Sequence, residues 1–96
     1  MDKEQRKQRL IEIGSRIRKA REESGLNLHK LALLSGISTP ALSLIETGKR
    51  DPRITTLCQI AIALRIAVGD LLDNRTEEIQ TDGKSKDGGY DLGDYT

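Results

Sequence analysis

Three glycines and two prolines punctuate the centre of this 96-residue chain: Gly25, Gly36, Pro40, Gly48 and Pro52. Glycine readily takes the left-handed backbone that ends a helix, and proline is tolerated in a helix's first turn but not in its interior. These breaks leave room there for short helices only. Around them apolar residues recur at three and four positions and nowhere alternate, so the class is all-α.

A first helix is predicted from Asp2 to about Glu23. Leu10, Ile13, Ile17 and Ala20 mark one face, and opposite charges four apart (Asp2 with Arg6, Glu12 with Arg16, Lys19 with Glu23) support the wet side. Gly25 ends it. Asn27 suits the N-cap of a second helix, Leu28 to about Leu34, with Leu31 and Leu34 inward. Ser35-Gly36 breaks that helix. Ser38 then caps a third, with Pro40 in its first turn, Leu42 and Ile45 inward, and Gly48 stopping it after Thr47. Beyond the loop GKRDPR, a fourth helix from about Ile54 to Leu64 carries Leu57, Ile60, Ala61 and Leu64 on one side, and a last turn runs from Val68 to Leu72.

The only aromatics, Tyr90 and Tyr95, lie near the C-terminal end, so the core is aliphatic. Residues 1–73 form the expected folded domain, with 13 Lys+Arg against 9 Asp+Glu. Residues 74–96 hold 3 against 6, are rich in glycine, and read as an acidic, disordered tail, a candidate docking segment for a protein partner. A basic body with an acidic tail points toward nucleic acid. The single cysteine, Cys58, allows no internal disulfide, and with His29 as the only histidine neither a metal nor a cofactor is expected. No apolar run approaches the roughly 20 residues of a membrane span and MDKEQRKQR is no signal peptide, so a cytoplasmic protein without a membrane partner is expected. Neither a catalytic pairing of carboxylates, nor a Ser-His-Asp set, nor a phosphate-cradling glycine loop is evident, which argues against an enzyme.

Two helices joined by a short glycine turn make a helix-turn-helix. The spacing of Ala32, Gly36, Ile37, Leu42 and Ile45 fits that motif: a small residue at the closest approach, a glycine in the turn, and three anchors beneath the second helix. With IGSRIRKAREESGLN, KLALLSGIS, LSLIETGKRDP and TLCQIAIAL around it, residues 13–72 resemble the Cro/CI (Xre-type) helix-turn-helix family of DNA-binding regulators. The resemblance implies a compact, lambda-repressor-like bundle of four to five helices. It also implies a recognition helix, Ser38 to about Thr47, lying in the major groove of double-stranded DNA, and action as a homodimer on a palindromic operator.

Carried onto this chain, the resemblance makes Thr39, Pro40, Ser43 and Leu44 the base-facing residues. Asn27, Leu28 and Ser38 stand at helix N-termini suited to phosphate, Lys49, Arg50 and Arg53 are flanking cations, and Arg21 and Glu46 form a structural ion pair. Short hydroxyls and apolar groups on the reading face suggest thymine methyls and DNA shape in place of bidentate hydrogen bonds. The chain also departs from the family pattern. Leu28 replaces a frequent glutamine, Ala20 leaves a gap unless Leu10 or Ile66 fills it, Arg65 stands where glycine usually ends the fourth helix, and Ala67 is a poor cap, so the last turn is expected to fray. The leading function is a DNA-binding transcriptional regulator, in the direction of a repressor, with a dimer surface from helix four onward, around Leu57 to Leu72. The alternatives are an antitoxin that binds its own promoter and a protein-interaction adaptor that has lost DNA binding.

Overall fold

The computed structural model describes residues 1–73; the acidic tail assigned to residues 74–96 lies outside the described residues. Five helices follow one another: α1 (Lys3–Glu23), α2 (Leu28–Ser35), α3 (Thr39–Glu46), α4 (Ile54–Leu64) and α5 (Gly69–Leu72). No strand occurs among the described residues. Each helix contributes one large, fully buried aliphatic side chain to a common core: Ile17, Leu31, Leu42, Ile60 and Leu71. Full burial of such a side chain is worth roughly 1.5–3 kcal/mol.

Caps set the helix ends. Asp2 and Gln5 form a reciprocal capping box, with Gln5 N–H donating to Asp2 Oδ1 at 2.8 Å and Asp2 N–H donating to Gln5 Oε1 at 2.9 Å. Asn27 Oδ1 accepts from Lys30 N–H at 2.7 Å, and Ser38 Oγ from Ala41 N–H at 3.2 Å. Gly36 ends α2 with φ +74, and a Cβ there would meet open space, so the glycine is required by backbone conformation alone. Across this turn the chain changes direction by 108°.

Gly14 is needed for the opposite reason. A Cβ at this position would overlap the carbonyl oxygens of Ile45 and Glu46 and lie 2.7 Å from the Glu46 carbonyl carbon. The absence of a side chain lets α1 lie directly on the C-terminal end of α3.

Several expectations change in detail. The buried face of α2 is Leu31, Ala32 and Ser35, while Leu34 keeps 51% of its exposure. Residues 28, 31, 32 and 35 share a face at helical spacing, which turns Leu34 aside, and the Ser35 hydroxyl satisfies itself on the Leu31 carbonyl at 2.7 Å. The charge pairs formed along α1 are Arg9 with Glu12 and Arg18 with Glu22. Arg16 does not pair with Glu12. Its Nη1 donates to the Leu72 carbonyl at 2.9 Å and, more weakly, to the Leu71 carbonyl at 3.4 Å. Those bonds, with Leu71 buried, hold the last turn in place where fraying was expected. The gap expected at Ala20 is an open groove of about 340 Å³, lined by Ile66 as well as by Arg16, Lys19 and Asp70.

Arg65 ends α4 in the left-handed conformation, φ 62 and ψ 40, where an L side chain is strained. Arg65→Gly should therefore raise unfolding stability by about 0.5–1 kcal/mol, seen as a higher denaturant midpoint at unchanged slope. A drop in the midpoint would mean that the arginine side chain contributes more than its backbone costs.

Candidate nucleic-acid interface

α3 is held by its inner face and its end. Leu42 is fully buried and Ile45 nearly so, with Ile37 packed against the core just before the helix. At the C-terminal end, Arg21 Nε donates to Glu46 Oε2 at 2.8 Å and Arg21 Nη2 donates to Oε1 at 3.2 Å. The third donor, Nη1, reaches the Leu26 carbonyl at 2.9 Å. One guanidinium thus ties α1, the α1–α2 connection and the end of α3 together. The two side chains keep only 12% and 5% of their exposure. The hydrogen bond that Arg21 donates to the Glu46 carboxylate outweighs the desolvation of Arg21 and raises its already high pKa, so the guanidinium stays charged.

The opposite side of α3 is open. Pro40 is exposed, and Thr39, Ser43 and Leu44 are half-buried, none of them sealed into the core. Thr39 has a partner that the sequence reading passed over: its Oγ1 lies 3.3 Å from Nδ1 of His29 on α2. This contact bridges the first turns of the two short helices. Both residues sit one or two positions inside a cap, which was the available signal, but nothing in the spacing says that the two caps face one another.

Asn27 and Ser38 use their side-chain oxygens as caps, so what α2 offers at its N-terminus is backbone: the N–H groups of Leu28 and His29 precede the capped Lys30. Pro40 supplies no N–H, which leaves Thr39 as the backbone donor ahead of the capped Ala41 in α3. Leu28 is partly buried against the core. Lys49, Arg50 and Arg53 are exposed in the α3–α4 connection and at the cap of α4, and none enters an ion pair among the described residues. Arg50 and Arg53 border a groove of about 300 Å³ whose floor includes Ile37, Ala41 and Ile45. The structure thus brings an open helix face, two helix starts and three cations around the same short unit. No group of three or more metal-ligating side chains occurs among the described residues.

A capped helix pair crossing at a glycine turn, with the second helix presented outward, defines a helix-turn-helix domain. The helix-turn-helix family model HTH_3, the Xre/Cro-CI type, matches residues 17–71, and the chain belongs to that family. Among its relatives, an uncharacterized HTH-type transcriptional regulator of Mycobacterium tuberculosis is 46% identical over 54 residues, covering 56% of this chain and 39% of the relative. The HTH-type transcriptional repressor RghR of Bacillus subtilis is 40% identical over 61 residues, covering 62% of this chain and 45% of RghR. This chain thus spans less than half the length of these curated relatives. A solved structure, the restriction-modification controller protein C.AhdI from Aeromonas hydrophila, superposes with a TM-score of 0.66 at 31% identity, covering 68% of this chain and 94% of that one.

Removing one partner of the buried pair leaves the other charge without compensation. Glu46→Ala should cost about 3–5 kcal/mol of stability in urea unfolding. A loss below about 1 kcal/mol would class the pair with exposed ion pairs instead.

Proposed function

We propose that this chain is a sequence-specific transcriptional regulator, acting as a repressor, that binds a two-fold symmetric operator as a homodimer with α3 in the major groove. The observation that carries this reading is the outward face of α3, Thr39, Pro40, Ser43 and Leu44, followed along the chain by the exposed cations Lys49, Arg50 and Arg53 and joined at Thr39 to His29 near the start of α2. The cations and the N–H groups of Leu28 and His29 hold phosphates, which fixes register. Pro40 and Leu44 meet thymine methyls, while Thr39 and Ser43 supply hydroxyl contacts. With no long amide or guanidinium on that face, much of the discrimination comes from the shape of the duplex. The direction, repression, is supported by the likeness to the transcriptional repressor RghR. Action on the chromosome places the protein in the cytoplasm.

A single module reads few base pairs, and pairing two copies on half-sites about 34 Å apart restores useful affinity. The residues first assigned to the dimer surface divide in two. Leu57, Ile60, Ala61, Leu64 and Leu71 are consumed by the core, whereas Ile62 keeps 75% of its exposure, and Ile54, ahead of that stretch at the start of α4, keeps 60%. The dimer face is therefore drawn from Ile54 and Ile62. Ile62→Glu should leave the helical content intact, shift sedimentation toward monomer, and lower operator affinity at least about tenfold. Unchanged sedimentation and affinity would move the interface elsewhere.

Titration of duplex DNA across salt concentrations tests the reading itself. About six phosphate contacts give a log–log slope near −5, and an absence of duplex binding at low salt would refute DNA recognition. Within that series, Lys49→Ala should weaken all sequences alike and lower the slope by about one, while Thr39→Ala should change preference at one or two base pairs. A uniform loss with Thr39→Ala would remove that residue from base reading.

A further inference from the structure

The inner face of α1 changes character where the helix leaves the body of the domain. Gly14 lies on the last carbonyls of α3, and Ile17 behind it is fully buried. Counting back along the same face in steps of three and four, the next residues are Leu10, Lys7 and Lys3, with Arg6 beside them. Leu10 is half-buried, the last residue of this face that is not fully exposed. Lys3, Arg6 and Lys7 are exposed, and none enters an ion pair among the described residues. Gln5, Gln8 and Glu12 fall on the opposite face, Glu4 lies to one side, and Arg9 is paired with Glu12.

The sequence pairing of Asp2 with Arg6 does not form, because the Asp2 carboxylate caps the helix through Gln5. That capping box also accounts for a helix that persists beyond the core: the first turn satisfies its own N–H groups without tertiary support. At 1.5 Å per residue, Lys7 and Lys3 stand about 10 Å and about 16 Å beyond Gly14 along the axis. The stretch passes the basic connection as well, since the backbone of Gly48, which precedes Lys49 and Arg50, is set against Ile11. The match to the family model begins at residue 17, after the overhang.

A helix face that is apolar over the protein and cationic past its edge calls for an anionic partner, and it starts at the end of the helix assigned to the major groove. We infer that the N-terminal overhang of α1 is a phosphate-binding rail: Lys3, Arg6 and Lys7 contact the DNA backbone beyond the base pairs met by α3. The rail rests on the DNA-binding reading above and deepens it. It supplies affinity without base information, which suits a recognition helix with few strong polar contacts. Its cations lie within one to two Debye lengths of the end of α3 at ordinary salt.

The test is the salt dependence of the full chain and its Lys3→Gln/Lys7→Gln variant on an operator selected from a random library and on random duplex. The variant should lose about two from the log–log slope, at about 0.9 per contact, and bind both duplexes at least about tenfold more weakly near 0.1 M salt. Base preference should stay the same, and hydroxyl-radical protection should shorten at the edge of the footprint. Arg6→Gln, read separately, should lower the slope by about one. Glutamine keeps good helix propensity, and circular dichroism verifies that the overhang stays helical. A slope within about 0.5 of the parent's overturns the rail while leaving the regulator reading intact. Tighter binding by the variant overturns it too, because the cations would then be holding the acidic segment 74–96 or another anionic protein surface. A parent chain that binds no duplex removes the rail and the regulator reading together.

Discussion

The end of α3 is fixed by a single guanidinium. Arg21 spends its donors on both carboxylate oxygens of Glu46 and on the Leu26 carbonyl, in a place where the pair is almost closed to water. Fork-on-fork geometry gives direction as well as attraction, so α3 is held at a definite angle to α1. Gly14 makes that geometry attainable by letting the two backbones touch. A helix of eight residues has little stability of its own, and without this anchorage the outward face of α3 would have no fixed direction.

The other end of α3 is organised differently. Ser38 caps it, the left-handed turn at Gly36 sets its crossing with α2, and the His29–Thr39 contact bridges the two helix starts. Rigid support therefore surrounds an outward face whose own side chains are short. If that face reads DNA as proposed, it must approach the duplex closely, since neither Ser43 nor Thr39 can reach far. On the proposed reading, close approach makes phosphate spacing and groove width matter as much as base identity. The clustering of unpaired cations beside α3 and along the start of α1 is consistent with a binder that draws much of its affinity from the backbone.

Most of the fold was legible because its signals are local. Caps at Asn27 and Ser38, the breaks at Gly25, Gly36 and Gly48, and the inner face of α4 all follow from residues a few positions apart. The left-handed end of α4 at Arg65 was also readable, as an arginine where glycine is usual. What escaped depends on contacts between distant segments. Gly14 has no local reason to be a glycine, and its role shows only where the end of α3 lies against it. Arg16 was assigned to Glu12, one turn away, and instead joins the carbonyls of α5, fifty-five and fifty-six residues on. The choice of Ser35 over Leu34 for the inside of α2 inverts hydrophobic rank, and only the geometry of the helix pair and a back-bonded hydroxyl explain it. In the site, the ion pair Arg21–Glu46 was anticipated through family resemblance, whereas the His29–Thr39 contact carried no pattern that periodicity could reveal.

The central claim is that α3 meets the major-groove edges of bases with hydroxyl and apolar groups while neighbouring cations hold the strands. Replacing each thymine by uracil, one at a time, in an operator selected from random DNA removes the C5 methyl and little else. Loss of about 1 kcal/mol of binding at one or two thymines per half-site, abolished in Leu44→Ala, is the expected result. If uracil is neutral everywhere and methylation of guanine N7 alone blocks binding, α3 does not read DNA in the way proposed.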